Sequence, residues 1–434
     1  MRHLIDLINL REGKLVGSPI SILSDISGIL LLVFIFLFIC FIARKNKRLF
    51  IILSLALTIR IVVSLINYYI FPLPDSLWDS RALEHSALIY SLQDNDYLIN
   101  TFGYPHYLTS MHWILSFIYY LFGRSPLLLL SFSVFLGILS IYYFYHVCLE
   151  IFSNEKIALK TSFLLVFLPT HILYSSLIMK EILIVFLIIS SLYFYIRWLK
   201  YNYHFSAFLF FTIYSSLFFF HAPLLIGITP FAIFYFYRIF YLNVFHIQYL
   251  KINYPGPFIL MFYLFVIIVV FSLYFSINTI AYGHFLNIDF FTNLVTHAKN
   301  TYTSAASFPH SILPTNTEEL FKYFIPRVFY FLYSPFIWDV SKFAHLFGLI
   351  DGTIILILSC VIVLNIKNIL NNKILLIIFI SLLLMISVYT LGTGNFGTAI
   401  RHRFKFLLLF FLLAANRIPN FIIQYKNYVF KMLI

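Results

Sequence analysis

The chain reads as an all-α polytopic membrane protein, with about eleven transmembrane helices and two long outer loops that carry juxtamembrane helices. Three observations predict this class. Of its 434 residues, 62% are hydrophobic and only 10% are charged, far from the balance of a soluble domain. Runs of about 20 apolar residues recur along the whole length, and each can cross a hydrocarbon core about 30 Å thick. No long polar linker divides the chain, so residues 1–434 are expected to form a single integral membrane domain. The net charge of +13 comes mainly from short loops between apolar runs. It is a topology signal, and no nucleic-acid partner is expected.

The elements follow in order. Apolar runs at 27–43, 50–71, 126–149, 157–175, 182–199, 204–220, 223–241, 257–277, 348–366, 374–391 and 403–416 are expected to cross. Loop charge sets their direction. Arg44, Lys45, Lys47 and Arg48 place the first loop in the cytoplasm, as do Arg197 with Lys200, Arg238 with Lys251, Lys367 with Lys373, and Lys426 with Lys431. These assignments agree only if Tyr107 to Phe122 stays on the outer face as a juxtamembrane or re-entrant helix. The N-terminus is then outside and the C-terminus inside. Phe321 to Phe336, interrupted by Pro326 and Pro335, reads as a surface-lying segment. No internal repeat is visible, which disfavours a transporter built from duplicated halves. Cys40, Cys148 and Cys360 lie in apolar stretches without ligand spacing, so no disulfide framework or metal site is expected. The abundance of Phe, Ile, Tyr and Asn suits an AT-rich bacterial gene.

Two outer loops result, 72–125 and 278–345. Loops of this length are usually functional or disordered, and these are too rich in aromatic and apolar residues for disorder. They are expected to roof a cavity at the membrane surface. In the first, Pro74 is expected to start a helix, with Leu83, Ala87 and Tyr90 forming its apolar stripe. Asp75 and Asp79 then fall one turn apart on a common face. A carboxylate at this boundary can act as a base toward a sugar hydroxyl. The plainer account has Asp75 favouring the helix N-terminus and Asp79 pairing with Arg81. Lys180-Glu181 lies at an outer helix end, either as a second acidic site or as a snorkelling lysine with its counter-charge. His171 and His221 lie near outer ends too, and with Lys180 and Arg327 they complete the candidate substrate-binding set.

The strongest signal is Arg401-His402-Arg403-Phe404-Lys405, a knot of cations on the non-cytoplasmic side, where basic residues are normally sparse. Gly392 to Ala399 reads as a flexible turn whose free amides and helix end favour an anion. Arg401 and Lys405 are i, i+4 neighbours able to grip one phosphate, and Arg403 points to another side. Anchoring to lipid headgroups is the alternative.

The acidic first loop, Gly103-Tyr104-Pro105 and the Gly123-Arg124-Ser125-Pro126 turn resemble the GT-C superfamily of membrane glycosyltransferases. The Pro169…Ser175-Ser176…Lys180-Glu181 segment resembles the place of that superfamily's second acidic site. The likeness covers about residues 50–240 in layout. Asn395 to Arg403 is similar to a pattern in bacterial envelope proteins. Two departures stand out: an extra span precedes the usual first helix, and the first loop has no acidic doublet.

The resemblance implies transfer of a sugar from a polyprenyl-phosphate or polyprenyl-diphosphate donor to a glycan or lipid-linked acceptor. It places the protein in the bacterial inner (cytoplasmic) membrane, its site facing the periplasm or outside. Asp79, Asp75 and Glu181 would be catalytic, and Arg401, His402, Arg403 and Lys405 would hold the phosphate. Members differ in metal use; no cofactor is required by the sequence, although Asp79 with Glu181 could hold a divalent cation such as Mg or Mn. An O-antigen or capsule repeat-unit polymerase is a close variant. A lipid-linked glycan flippase is the alternative of another class. A transporter calls for charges buried mid-span and broken helices, whereas the charges here are expected at one membrane face.

Overall fold

A computed structural model describes residues 22–92, 109–245, 295–296 and 306–418. Among these residues the regular elements are helical, apart from one isolated antiparallel bridge between Ser307 and Asn395. Seven helices among the described residues are long and apolar enough to cross a membrane, or eight if one bent pair counts as a span. Three changes take the expected eleven to eight, and the bent run 157–175 makes the step to seven. The run 257–277 lies outside the described residues. The runs 204–220 and 223–241 join into one stretch of 35 residues, His204–Arg238. The run 403–416 is interrupted, and neither of its pieces is long enough to cross.

The chain packs as two compact units, residues 1–190 and 191–434. The first contains α1 (Ile22–Ile42), α2 (Lys47–Leu65, prolonged by a π turn Ile66–Ile70), α3 (Arg81–Ser91), α4 (Thr109–Phe122), α5 (Pro126–Phe152), α6 (Glu155–Val166), α7 (Pro169–Ser175) and the start of α8 (Lys180–Tyr201). Helix α5 is the hub and touches α1, α2, α6 and α7. Ser125 caps it by accepting from the Leu128 amide at 3.1 Å, with Pro126 at the first helical position. Asn46 and Asn154 cap α2 and α6 in the same way. Between α6 and α7 the axis bends by 66°. Pro169 causes this: it has no N–H to continue the ladder, and it holds Leu168 in extended backbone.

The acidic turn differs from its expected form. The helix does not start at Pro74. Asp75 adopts φ +64°, a left-handed conformation that aspartate tolerates better than most residues. A π turn, Ser76–Ser80, then leads into α3. Asp75 therefore stands outside the helix instead of one turn below Asp79. The buried face of α3 is Glu84, His85, Ala87 and Leu88, packed on α4, so the expected Leu83–Ala87–Tyr90 stripe is rotated and includes a carboxylate. Helix α4 has 14 residues, a length of about 21 Å, which is short of the hydrocarbon core.

The second unit contains the rest of α8, α9 (His204–Ser215), a one-turn helix (Phe218–His221), a 3-10 turn (Ala222–Ile228), α10 (Thr229–Phe245), α11 (Thr317–Lys322), α12 (Phe324–Tyr333), α13 (Phe343–Leu364), α14 (Ile366–Asn371), α15 (Lys373–Gly392), α16 (Phe396–Phe404) and α17 (Leu407–Ala414). Pro326 does not interrupt its segment. It sits in the first turn of α12, where a missing N–H costs nothing. Helix α12 buries Arg327, Phe331 and Leu332 against α13 and α15, and exposes Ile325 and Phe329. Gly352 permits that approach: a Cβ there would run into the Tyr333 carbonyl. We expect Gly352→Ala to destabilise the protein by about 1–3 kcal/mol, because backbone is the obstacle. Gly397→Ala, whose Cβ would meet only Asn395 Oδ1 at 3.3 Å, should have little effect. Thermal unfolding of the two variants in detergent checks the contrast.

Candidate functional site

In the first unit the acidic turn is seated on α7 and on the segment that joins it to α8. The Tyr174 hydroxyl donates to Asp75 Oδ2 at 3.0 Å, and the Ile178 amide donates to Ser80 Oγ at 3.0 Å. Asp79 lies on the same turn, half-buried. Glu181 is the second residue of α8 and is 4% exposed; its Oε2 has no hydrogen-bond partner among the described residues. Buried carboxylate oxygens are ordinarily satisfied. One left open is able to accept from a hydroxyl or to face a cation. Asp75, Asp79 and Glu181 thus belong to two chain segments that the fold brings together. Among the described residues, no three His, Cys, Asp or Glu side chains converge as a metal site.

A second carboxylate in this unit had no motif to mark it. Glu84 Oε1 accepts from Arg124 Nε at 3.1 Å and from the Tyr119 hydroxyl at 2.9 Å, and Arg124 Nη2 reaches Oε2 at 3.4 Å. Burial, and then the Glu84 charge, raises the Tyr119 phenol above its ordinary range, so it remains a donor. The Gly-Arg-Ser-Pro turn is therefore tied to α3 by an ion pair. Glu84 falls among the residues that face α4, and that placement is the signal for a partner.

His171 has a partner that the sequence did not suggest. It is wholly buried, with Nδ1 2.7 Å from Nη2 of Arg60, itself wholly buried well inside α2. This corrects the expectation that charges avoid mid-span. The signal in the sequence is Arg60 itself, a lone arginine within the apolar run 50–71.

In the second unit the basic cluster separates into two parts. Arg403 is fully buried. Its Nε lies 2.7 Å from Asp351 Oδ2, and its Nη atoms donate to the carbonyls of Leu332, Ser334 and Gly348 at 2.6–3.1 Å. All three nitrogens are taken, so a phosphate role for Arg403 is replaced by a structural one. Arg327 is likewise fully buried, donating to the carbonyls of Thr390, Leu391 and Thr393 at the end of α15. Burial lowers its guanidinium to about 10, so it stays cationic at neutral pH and satisfies the negative end of that helix.

The other part gathers His221, Tyr389, His402 and Lys405. The Tyr389 hydroxyl is 2.8 Å from His221 Nδ1, and Lys405 Nζ is 3.0 Å from His402 Nδ1. The His402 ring centroid lies 5.2 Å from that of His221 and 4.7 Å from that of Tyr389. Ammonium carries only donors, so His402 accepts at Nδ1 and its proton is on Nε2. Arg401 is half-buried on the last turn of α16. The flexible turn expected at Gly392 to Ala399 shrinks to Thr393–Asn395, because Phe396 already begins α16. The amides expected to greet an anion are partly used: Asn395 Oδ1 caps the Thr398 amide, and the Phe396 amide bonds the Ala306 carbonyl. Lys180 is half-buried at the start of α8. Tyr389 gives no sequence signal, since an aromatic in an apolar run reads as core.

The fold and these constellations define a polytopic α-helical membrane protein with polar side chains organised inside it. Comparison with protein-family models, with curated proteins and with solved structures found no match. The Arg403–Asp351 pair yields a test. Asp351→Asn should cost about 3–5 kcal/mol, since it leaves a guanidinium buried against an uncharged partner. Asp351→Leu combined with Arg403→Met should regain most of that loss. Thermal melts of both proteins in detergent decide this.

Proposed function

We propose that the protein is a membrane glycosyltransferase that moves a sugar from a polyprenyl-linked phosphate or diphosphate donor to a glycan or lipid-linked acceptor, at the outer face of a bacterial inner membrane. One observation carries the reading. The acidic turn and the Tyr174–Glu181 segment are held together, and a buried Glu181 oxygen beside them is left open. Asp79, with Asp75 and Glu181, supplies the carboxylate that takes the proton from the acceptor hydroxyl. That oxygen bonds to the anomeric carbon, the anomeric C–O bond to phosphate breaks, and the phosphate leaves with the electron pair. A cation that binds the departing phosphate stabilises its growing charge. Arg401, His402 and Lys405 are assigned this role, with His221 and Tyr389 added from the cluster geometry.

A second reading, a lipid-linked glycan transporter, has its own support. Arg60 is a buried charge partway along a span, bonded to His171 in the second limb of a helix bent by 66°, and transporters place such features near the membrane midplane.

Protein in lipid, supplied with host lipid extract carrying polyprenyl-linked glycans, separates the readings. We expect release of the polyprenyl carrier and a glycan one sugar heavier. Asp79→Asn should lower the rate by about 100-fold or more, with insertion unchanged, and Arg401→Ala should lower it as well. A ladder of repeat units identifies a polymerase. Labelled lipid crossing the bilayer without product overturns the enzyme reading. Undiminished transfer in both Asp79→Asn and Asp75→Asn overturns the carboxylate mechanism.

A further inference from the structure

The polar side chains inside the first unit form a chain with one direction. Arg60 Nη1 donates to the Ala56 carbonyl at 3.0 Å, and Nη2 lies 2.7 Å from His171 Nδ1. Guanidinium has no acceptor, so Nδ1 accepts and the His171 proton is on Nε2. That nitrogen is 2.9 Å from Ser140 Oγ, whose own proton goes to the Gly137 carbonyl at 2.8 Å. The chain therefore runs from α2 through α7 to α5. Two further bonds run beside it: Ser176 Oγ donates to the Arg60 carbonyl at 3.2 Å, and Ser64 Oγ donates to the Ser176 carbonyl at 3.3 Å.

The guanidinium is enclosed. It is 0% exposed, and a Cβ at Gly137 would lie 3.4 Å from its Nε and 2.6 Å from Ser175 Cβ. Its Nε has no hydrogen-bond partner among the described residues, so Nη1 and Nη2 are the donors that hold its neighbours. Its partners lie on or just beyond the short helix that Pro169 sets at an angle, whose backbone has lost continuity with α6. Immediately downstream come Tyr174, which bonds Asp75, then Ile178, which bonds Ser80, then Glu181.

We infer that Arg60 and His171 are positioning residues: through the fixed His171 tautomer they hold α7 and the 176–179 bend, and so place Tyr174 and Glu181 against the acidic turn. The consequence for activity rests on the function proposed above; the positioning itself does not. An intramembrane charge is expensive to keep, and here it supplies the hydrogen-bond donor that selects one tautomer and one packing of a broken helix.

The test uses full-length protein in lipid nanodiscs with the three native cysteines replaced and Met179, 2% exposed in the bend, changed to Cys. A membrane-impermeant maleimide reports opening of the bend. Nitrogen-15 spectra of His171 report its tautomer. Expected results are slow labelling and an unprotonated Nδ1 in the parent, then at least tenfold faster labelling and mixed tautomers in Arg60→Met. Arg60→Met, if poorly folded, is replaced by a matched pair. His171→Asn keeps an acceptor for Arg60 and should label slowly; His171→Phe removes it and should label fast. Equal labelling in parent, Arg60→Met and His171→Phe overturns the inference, as does a parent His171 protonated on Nδ1. Fast labelling in the variants, with no glycosyl transfer by the parent, retains the positioning role and removes the transferase.

Discussion

Among the described residues three guanidinium groups are buried, and each draws hydrogen-bond acceptors from the helices around it. Arg60, Arg327 and Arg403 are all fully enclosed, and each is met differently. Arg403 has a carboxylate and a ring of carbonyls, Arg327 has the carbonyl end of a helix, and Arg60 has one carbonyl and an imidazole. A cation in a low-dielectric interior costs several kcal/mol if left alone. The packing of α12 and α16 on α13, and of α7 on α2 and α5, therefore cannot slide without exposing that cost. These contacts fix register in helices whose apolar surfaces would otherwise pack in many ways.

The same constraint explains which parts of the cationic cluster remain candidates for an anion. Arg403 commits all three guanidinium nitrogens to the protein, and Arg327 commits both Nη atoms. His402 and Lys405 lie with His221 and Tyr389 in a group of aromatic and basic side chains that is tightly clustered yet half-buried in part. Along five residues, Arg403 is thus bonded into the packing of the helices, while His402 and Lys405 bond to each other.

Much of the fold was legible because apolar run length and proline position are local signals. The spans at 27–43, 50–71, 126–149, 182–199, 348–366 and 374–391 correspond to helices α1, α2, α5, α8, α13 and α15. The 14-residue length of α4 follows from its short run, whereas the run 157–175 reads as one crossing and is bent by 66° at Pro169. What depended on distant partners was not legible. The run 204–241 holds together because 3-10 geometry carries the chain past Pro223. The final run divides at Lys405 and Phe406, although its apolar count alone suggests an unbroken helix. Asp75 and Glu181 were readable as acidic residues, but the Tyr174 bond joining their segments links positions 99 residues apart. Arg403 has the sequence signature of a phosphate ligand, and only the fold sets Asp351 beside it.

The asparagine caps show a separate kind of economy. Helices α2, α6 and α15 each carry a basic residue in the first turn: Lys47 with Arg48, Lys156, and Lys373. A cation there opposes the helix dipole, which favours anions at that end. Asn46, Asn154 and Asn372 accept from the amides behind those charges, and Asn46 Nδ2 donates to Glu155 at 2.7 Å. The basic residues thus act against the finished helices, and the asparagine caps offset them. The residues that bring charge to these helix ends and the residues that bond their amides are separate, set side by side.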